Sequence, residues 1–317
     1  MYPRAIYHHL NKAFVETLES QREKIAASGM DLGSRTLFRT RLGFSGTPND
    51  LLPQAMGRCM PEPGSAAKTV LILTDPSLTA IEPVKASDSD GSSRWSVEGM
   101  LTQVATAVPG CMAMVDTGAL VTGLSNEDVA RFFMEDEIRV VGLRGCVFID
   151  VEDRQRCVLR SGACVPIEQC GLKPDERFTF YDQQHSTGMD IKQGVAAVCC
   201  VTLGKGNTLR DLQQGAWRMR GIGQGQTIKL VLVPEIRSQI IDYRLLIGNR
   251  GEADASTAKQ PTEIEPTLHD IIAWLLASSM ANETSASVTL CEQEVLSIAR
   301  ERALDSLLYH RRNGLGE

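Results

Sequence analysis

The chain has 317 residues, of which 43% are hydrophobic, 23% charged and 5% aromatic. That balance is too apolar for an intrinsically disordered chain and too charged for one embedded in a membrane. The formal net charge of −6 leaves no global positive field for a phosphate backbone, so a nucleic acid is not an expected partner.

No uncharged apolar run approaches the roughly 18 residues of a membrane span. The opening Met1-Tyr-Pro-Arg-Ala lacks the apolar core of a secretory leader. Nine scattered cysteines, an odd number, point to reduced thiols and a cytoplasmic or nuclear setting. None is spaced as a zinc pair. Cys164 and Cys170 come nearest and have no histidine partners.

In chain order, residues 5–27 read as an amphipathic helix with Ile6, Leu10, Phe14, Leu18 and Ile25 on one face. A short strand, 37–44, runs into the turn Ser45-Gly46-Thr47-Pro48. The apolar run 69–74 has strand length, and 82–94 is a Ser/Asp-rich loop. A helix over 95–107 precedes a strand over 111–115. Ser125 caps a further helix, with Asp128 as its box-like acid. Strands follow at 145–149, 158–160, 178–181 and 195–203, the last apolar on both faces and so central and parallel. A helix at 208–220 leads to a strand at 227–233, and helices at 236–247, 268–281 and 288–310 close the chain. There is no internal repeat.

This alternation predicts an α/β fold: a mostly parallel sheet of about six strands with flanking helices and an all-helical C-terminal extension. Three segments are expected: 1–64, an N-terminal helix and the remnant of a preceding lobe; 65–240, the α/β lobe; and 241–317, the helical extension.

Four motifs carry the chemistry. They are Gly43-Phe-Ser-Gly-Thr-Pro48, His185-Ser-Thr-Gly-Met-Asp190, Gln214-Gly-Ala-Trp-Arg-Met-Arg220 and Gly221-Ile-Gly-Gln-Gly-Gln226. A developing phosphoryl charge needs a fixed cation, and guanidinium suits because it stays charged and offers a rigid fork of donors. Glycine lets backbone approach a ligand.

The order of these motifs resembles the end of the first lobe and the second lobe of a superfamily 2 helicase-like ATPase, which implies a RecA-like lobe. The resemblance assigns Ser45, Gly46 and Thr47 to lobe coupling, and Gly188 and Asp190 to a turn beside nucleotide. It assigns Gln214 and Arg218 to the arginine-finger helix. The second arginine of that pattern falls at Gly221, and Arg220 stands one place early, about 100° round a helix. No phosphate loop or acidic magnesium motif is present, so no cofactor is evident. ATP and Mg²⁺ are expected only with a partner lobe.

A second resemblance covers most of residues 20–240. Asp116-Thr-Gly-Ala119, Ser125-Asn-Glu-Asp-Val-Ala130, Val147-Phe-Ile-Asp150, His185 to Asp190, Val201-Thr-Leu-Gly204 and Gln214 to Gln226 are similar to a region of very large eukaryotic proteins classed as ubiquitinyl hydrolases. It implies a hydrolase of the thiol-protease class, ubiquitin or a ubiquitinated protein as partner, and missing N-terminal regions of a larger protein.

A thiol protease needs a thiolate, a histidine base and an orienting acid. His185 with Asp182 and Cys111, Cys199 or Cys200 is one candidate set, although no recognised cysteine box surrounds these thiols. The plainer readings stand beside it. His185 reads as a hydrogen-bonded structural residue, and the Cys199-Cys200 pair as inert buried thiols. Arg218 and Arg220 can pair with acids, and Asp150, Glu152 and Asp153 read as a solvated turn.

Overall fold

The computed structural model describes residues 65–85, 95–135, 142–248 and 265–312. The predicted helix at 5–27, the strand at 37–44 and the turn at 45–47 lie outside the described residues. The chain divides into two compact units. One is Gly64–Ser279; the other joins Met1–Pro63 to Met280–Glu317.

The first unit is an α/β layer structure. Its elements are α1 (Ser65–Thr74), β1 (Thr79–Pro83), α2 (Val97–Thr106), β2 (Ala113–Val115), α3 (Asn126–Met134), β3 (Gly145–Ile149), β4 (Gln155–Leu159) and β5 (Cys164–Pro166). There follow β6 (Arg177–Tyr181), β7 (Val198–Leu203), α4 (Leu209–Ala216), β8 (Thr227–Leu232), α5 (Pro234–Gly248) and α6 (Leu268–Arg312), which runs on into the second unit.

The strands form one eight-stranded sheet in the order β1-β8-β7-β2-β6-β3-β4-β5. Pairing is parallel from β1 through β3 and antiparallel in the β3-β4-β5 meander. The mostly parallel α/β architecture is therefore as the alternation of the sequence predicts. The 195–203 strand is central, with β7 between β8 and β2 in parallel register.

Every residue of β2, β3, β6 and β7 is buried, which is why β2, β3 and most of β7 read as apolar runs without alternation, whereas β6 alternates Arg177 and Thr179 with Phe178 and Phe180. Phe133 of α3 stacks on Phe178 of β6 with ring centroids 4.3 Å apart. Burial of one such ring contributes about 2 kcal/mol. The predicted cap is present: Ser125 and Asp128 form a reciprocal box at the start of α3.

Three expectations need correction. The 69–74 run is the end of helix α1, and the first strand is Thr79–Pro83. A short continuous apolar run has no period that separates strand from buried helix. The helix expected to reach Arg220 stops at Ala216, with Trp217 as its C-cap. The two helices expected at 268–281 and 288–310 are one, Leu268–Arg312, because the polar residues between them contain no Gly or Pro. No helix among the described residues is long and apolar enough to cross a membrane.

Candidate functional site

Parallel strands send all their C-terminal ends to one edge of a sheet, and that edge is where open α/β folds place ligands. Here it gathers Asp116 after β2, the turn 150–154 after β3, Asp182 and His185 after β6, and Gly204 to Asn207 after β7. The β2 connection leads toward β3 and the β7 connection toward β8, so the topological switch lies between β2 and β7.

At that switch the backbone closes on itself. A Cβ on Gly118 would stand 2.7 Å from the Gly204 nitrogen. Asn207 donates to the Thr117 carbonyl at 3.0 Å and accepts from the Gly204 N–H at 2.6 Å. Asp116, fully enclosed, accepts from the Thr202 hydroxyl at 2.6 Å and from the N–H groups of Leu120 and Val121 at 3.0 and 2.9 Å. Burial raises the Asp116 carboxyl above the usual range, and these three donors pull it only part of the way back.

His185 sits in a single 3₁₀ turn, Gln184–Ser186, directly after β6. Its Nδ1 is 2.5 Å from Asp182 Oδ1 and its Nε2 is 2.9 Å from Asp153 Oδ1. Both contacts are hydrogen bonds together only when both ring nitrogens carry protons. Burial works to lower the His185 pKa, and the facing carboxylates of Asp153 and Asp182 outweigh it, so the ring titrates above its ordinary value.

Asp153 reaches the ring because it adopts φ 59° in the β3–β4 hairpin, a left-handed conformation that Asp tolerates. Asp150 braces the same turn, accepting from the N–H groups of Glu152 and Arg154 at 2.9 Å each. Asp153 is the site residue that sequence reading missed. It stands 32 positions from His185 in sequence, inside a cluster that reads as a solvated turn.

The arginine motif forms a second cluster. Arg218 is 7% exposed. Its Nε donates to the Gln214 carbonyl at 3.4 Å, and its Nη1 donates to the Met189 carbonyl. It also lies 3.6 Å from Asp190. Gln214 thus takes part through its backbone.

Gly188 enters this turn at φ +82°, and a Cβ there would meet nothing within 4 Å, so it serves the backbone conformation and not a close approach. Arg220 projects outward. Its Nε and Nη2 engage the Asp190 carboxylate at 3.2 and 2.9 Å, and its guanidinium lies 5.3 Å from the Trp217 ring centroid. Gln226 closes the Gly-rich exit, accepting from the Gly221 N–H and donating to the Gly194 carbonyl, at 2.7 Å each.

The thiols stand apart from these clusters. Cys199 and Cys200 are mid-strand in β7 and fully buried. Burial, then Cys111, pushes the Cys199 thiol up. The Cys111 hydrogen bond, with burial, does the same to Cys200, whose sulfur is 2.8 Å from that of Cys111. Both nitrogens of His185 are held by carboxylates. The structure therefore unites His185 with Asp182, and joins Arg218 and Arg220 to Gly188 and Asp190, but gives His185 no sulfur partner. Ser45, Gly46 and Thr47 lie outside the described residues. Among the described residues no group of three or more His, Cys, Asp or Glu is disposed to hold a metal ion.

Compared with known proteins, the chain matches no family model, no curated protein and no solved structure.

Proposed function

We propose that this chain is a RecA-like second lobe of a helicase-like ATPase, one that presents Arg220 to a phosphoryl group held by a preceding, phosphate-loop-bearing lobe. The observation that carries the reading is the division of labour within the arginine motif. Arg218 is buried and fixes the turn at 188–190, while Arg220 is half-exposed on a carboxylate that a phosphate oxygen can replace. A cation so placed stabilises charge that develops during phosphoryl transfer. ATP and Mg²⁺ bind in full only when that other lobe supplies its loop. The setting is cytoplasmic or nuclear, in keeping with thiols left unpaired.

The ubiquitinyl-hydrolase resemblance fits this reading if the chain serves a larger protein as a nucleotide-responsive or scaffold lobe, with ubiquitin bound and hydrolysed by other regions. The described thiols near His185 offer that activity no nucleophile.

Trp217 reports the event, because its ring lies under Arg220. Titrating the chain with ATP should change Trp217 fluorescence with an affinity in about the millimolar range, the weak end expected of a site lacking its phosphate loop. Asp190→Asn should tighten the response and Arg220→Ala should abolish it. A response that persists in Arg220→Ala, or none in Asp190→Asn, contradicts the reading.

A further inference from the structure

The β3–β4 hairpin touches both polar clusters at the C-terminal edge of the sheet. At its tip, Asp153 Oδ1 lies 2.9 Å from His185 Nε2. Two residues on, Gln155 opens β4 and donates through Nε2 to the Asp190 carbonyl at 3.1 Å. The side chain of Asp190 holds Arg220, whose guanidinium lies over the Trp217 ring. A continuous series of contacts therefore leads from a buried imidazole to a half-exposed arginine.

The hairpin is unevenly held. Gln155 pairs with Ile149 in the β3–β4 ladder, and Asp150 accepts from the N–H groups of Glu152 and Arg154. Asp153 stands between these anchors at φ 59°, a conformation unfavourable to any residue with a Cβ. Its side chain is 71% exposed, against 26% for Asp182, and His185 is its partner.

His185 has two acids to serve and a variable number of protons. Asp182, at the end of β6, and Asp153, on the hairpin, are the charged groups that face the ring. The protonated ring donates to both at once. A neutral ring carries one N–H. With that N–H on the shorter contact, Nδ1 to Asp182 at 2.5 Å, Nε2 turns a lone pair toward the Asp153 carboxylate and repels it. Asp153 is the arm that yields, being exposed and in a left-handed conformation.

We propose that Asp153 and Gln155 are positioning residues of the arginine motif, and that His185 is the proton-operated latch that sets them. With the ring protonated, the hairpin is closed, Gln155 fixes the turn at 188–190, and Asp190 keeps Arg220 engaged. Loss of the ring proton to solvent frees Asp153 and loosens the Gln155 bond. Arg220 is then released to a phosphate oxygen. This inference rests on the nucleotide reading proposed above and names the regulator of that site, the proton. By linkage, nucleotide binding in turn favours the neutral ring.

The test begins without nucleotide, so that it is separable from the ATPase reading. The Trp217 signal is taken as the difference in fluorescence between the parent chain and Trp217→Phe. It should change in a single transition between about pH 6.5 and 9, since the ring titrates above its ordinary value. The NMR signal of the His185 ring should move with the same midpoint. His185→Asn should abolish the Trp217 transition. Gln155→Leu should abolish it as well yet leave the ring titration in place, a separation that general damage to the site would not produce. With ATP added, the parent should gain about fivefold in affinity across this range relative to His185→Asn, a ratio that cancels the nucleotide's own change of charge. The latch is overturned if the parent shows no Trp217 transition, if the transition persists in His185→Asn or Gln155→Leu, or if the affinity ratio is constant with pH. A Trp217 transition that behaves as stated in a chain that binds no ATP upholds the latch and overturns the nucleotide reading instead.

Discussion

Arg218 and Arg220 are separated by one residue, yet Arg218 is buried against the Met189 carbonyl while Arg220 lies on the half-exposed carboxylate of Asp190. α4 ends at Ala216, so the two side chains are not constrained to helical positions and can serve different ends. Truncation should separate them. Arg218→Ala leaves the Met189 carbonyl without its donor and a void where the side chain was. It should cost about 2–3 kcal/mol. Arg220→Ala should change stability by no more than about 0.5 kcal/mol, since exposed ion pairs contribute little. Urea unfolding of both variants checks this, and similar costs would contradict the division of labour.

The contact between Gly118 and Gly204 makes a second, sharper expectation. A methyl group at position 118 would face the Gly204 nitrogen at 2.7 Å and the Leu203 carbonyl carbon at 2.8 Å. Backbone cannot rotate away as a long side chain can. Gly118→Ala should therefore part the ends of β2 and β7, disturb the Asn207 and Thr202 hydrogen bonds there, and cost about 2 kcal/mol or more. Gly188→Ala provides the contrast. Nothing crowds that position, so its cost comes from φ +82° alone and should be about 1 kcal/mol. Thermal midpoints of the two variants would rank them, and a reversed order would refute the account.

Much of this architecture is legible in the sequence because local chemistry and global fold agree. Ser125 and Asp128 announce α3 by their own hydrogen bonds. β3 and β7 are buried along their whole length and read as apolar runs, while in the equally buried β6 Arg177 and Thr179 alternate with Phe178 and Phe180. The first strand is not legible, since Thr79–Pro83 lies at the sheet edge and alternates weakly, while the more apolar run 69–74 belongs to a helix. In the site, the link from His185 to Asp182 spans three residues and is readable. The link to Asp153 depends on the parallel pairing of β3 with β6 and on a left-handed residue in a hairpin, neither of which leaves a local mark. The exposure that separates Arg218 from Arg220 likewise depends on where α4 stops.

The His185 clamp predicts a pH dependence whose sign is fixed. Its folded pKa lies above the unfolded value of about 6.5. The stabilisation is then fully present below the unfolded pKa and is lost as pH rises through the folded one. Asp153 and Asp182 are the charged groups that face the ring. Denaturant midpoints of the parent chain and of His185→Asn, taken from about pH 5.5 to 9, should differ most at the acid end and converge toward the alkaline end. A gap that widens with rising pH would show that the neutral ring is the stabilising form.

Thiol reactivity separates the two resemblances. A thiol protease keeps one cysteine open and activated, whereas here Cys111, Cys199 and Cys200 are buried and neither nitrogen of His185 is free. The burial that disfavours the thiolate at Cys199 and Cys200 also bars entry of an electrophile. Brief treatment of the native chain with iodoacetamide should label Cys291, which is exposed on α6, and leave Cys199 and Cys200 unmodified until denaturant is added. A ubiquitin with a thiol-reactive C-terminus should form no adduct on Cys111, Cys199 or Cys200. One adduct on any of these three, lost on His185→Ala, would require the sheet to open beside β7. It would return the thiol-hydrolase reading to this part of the chain.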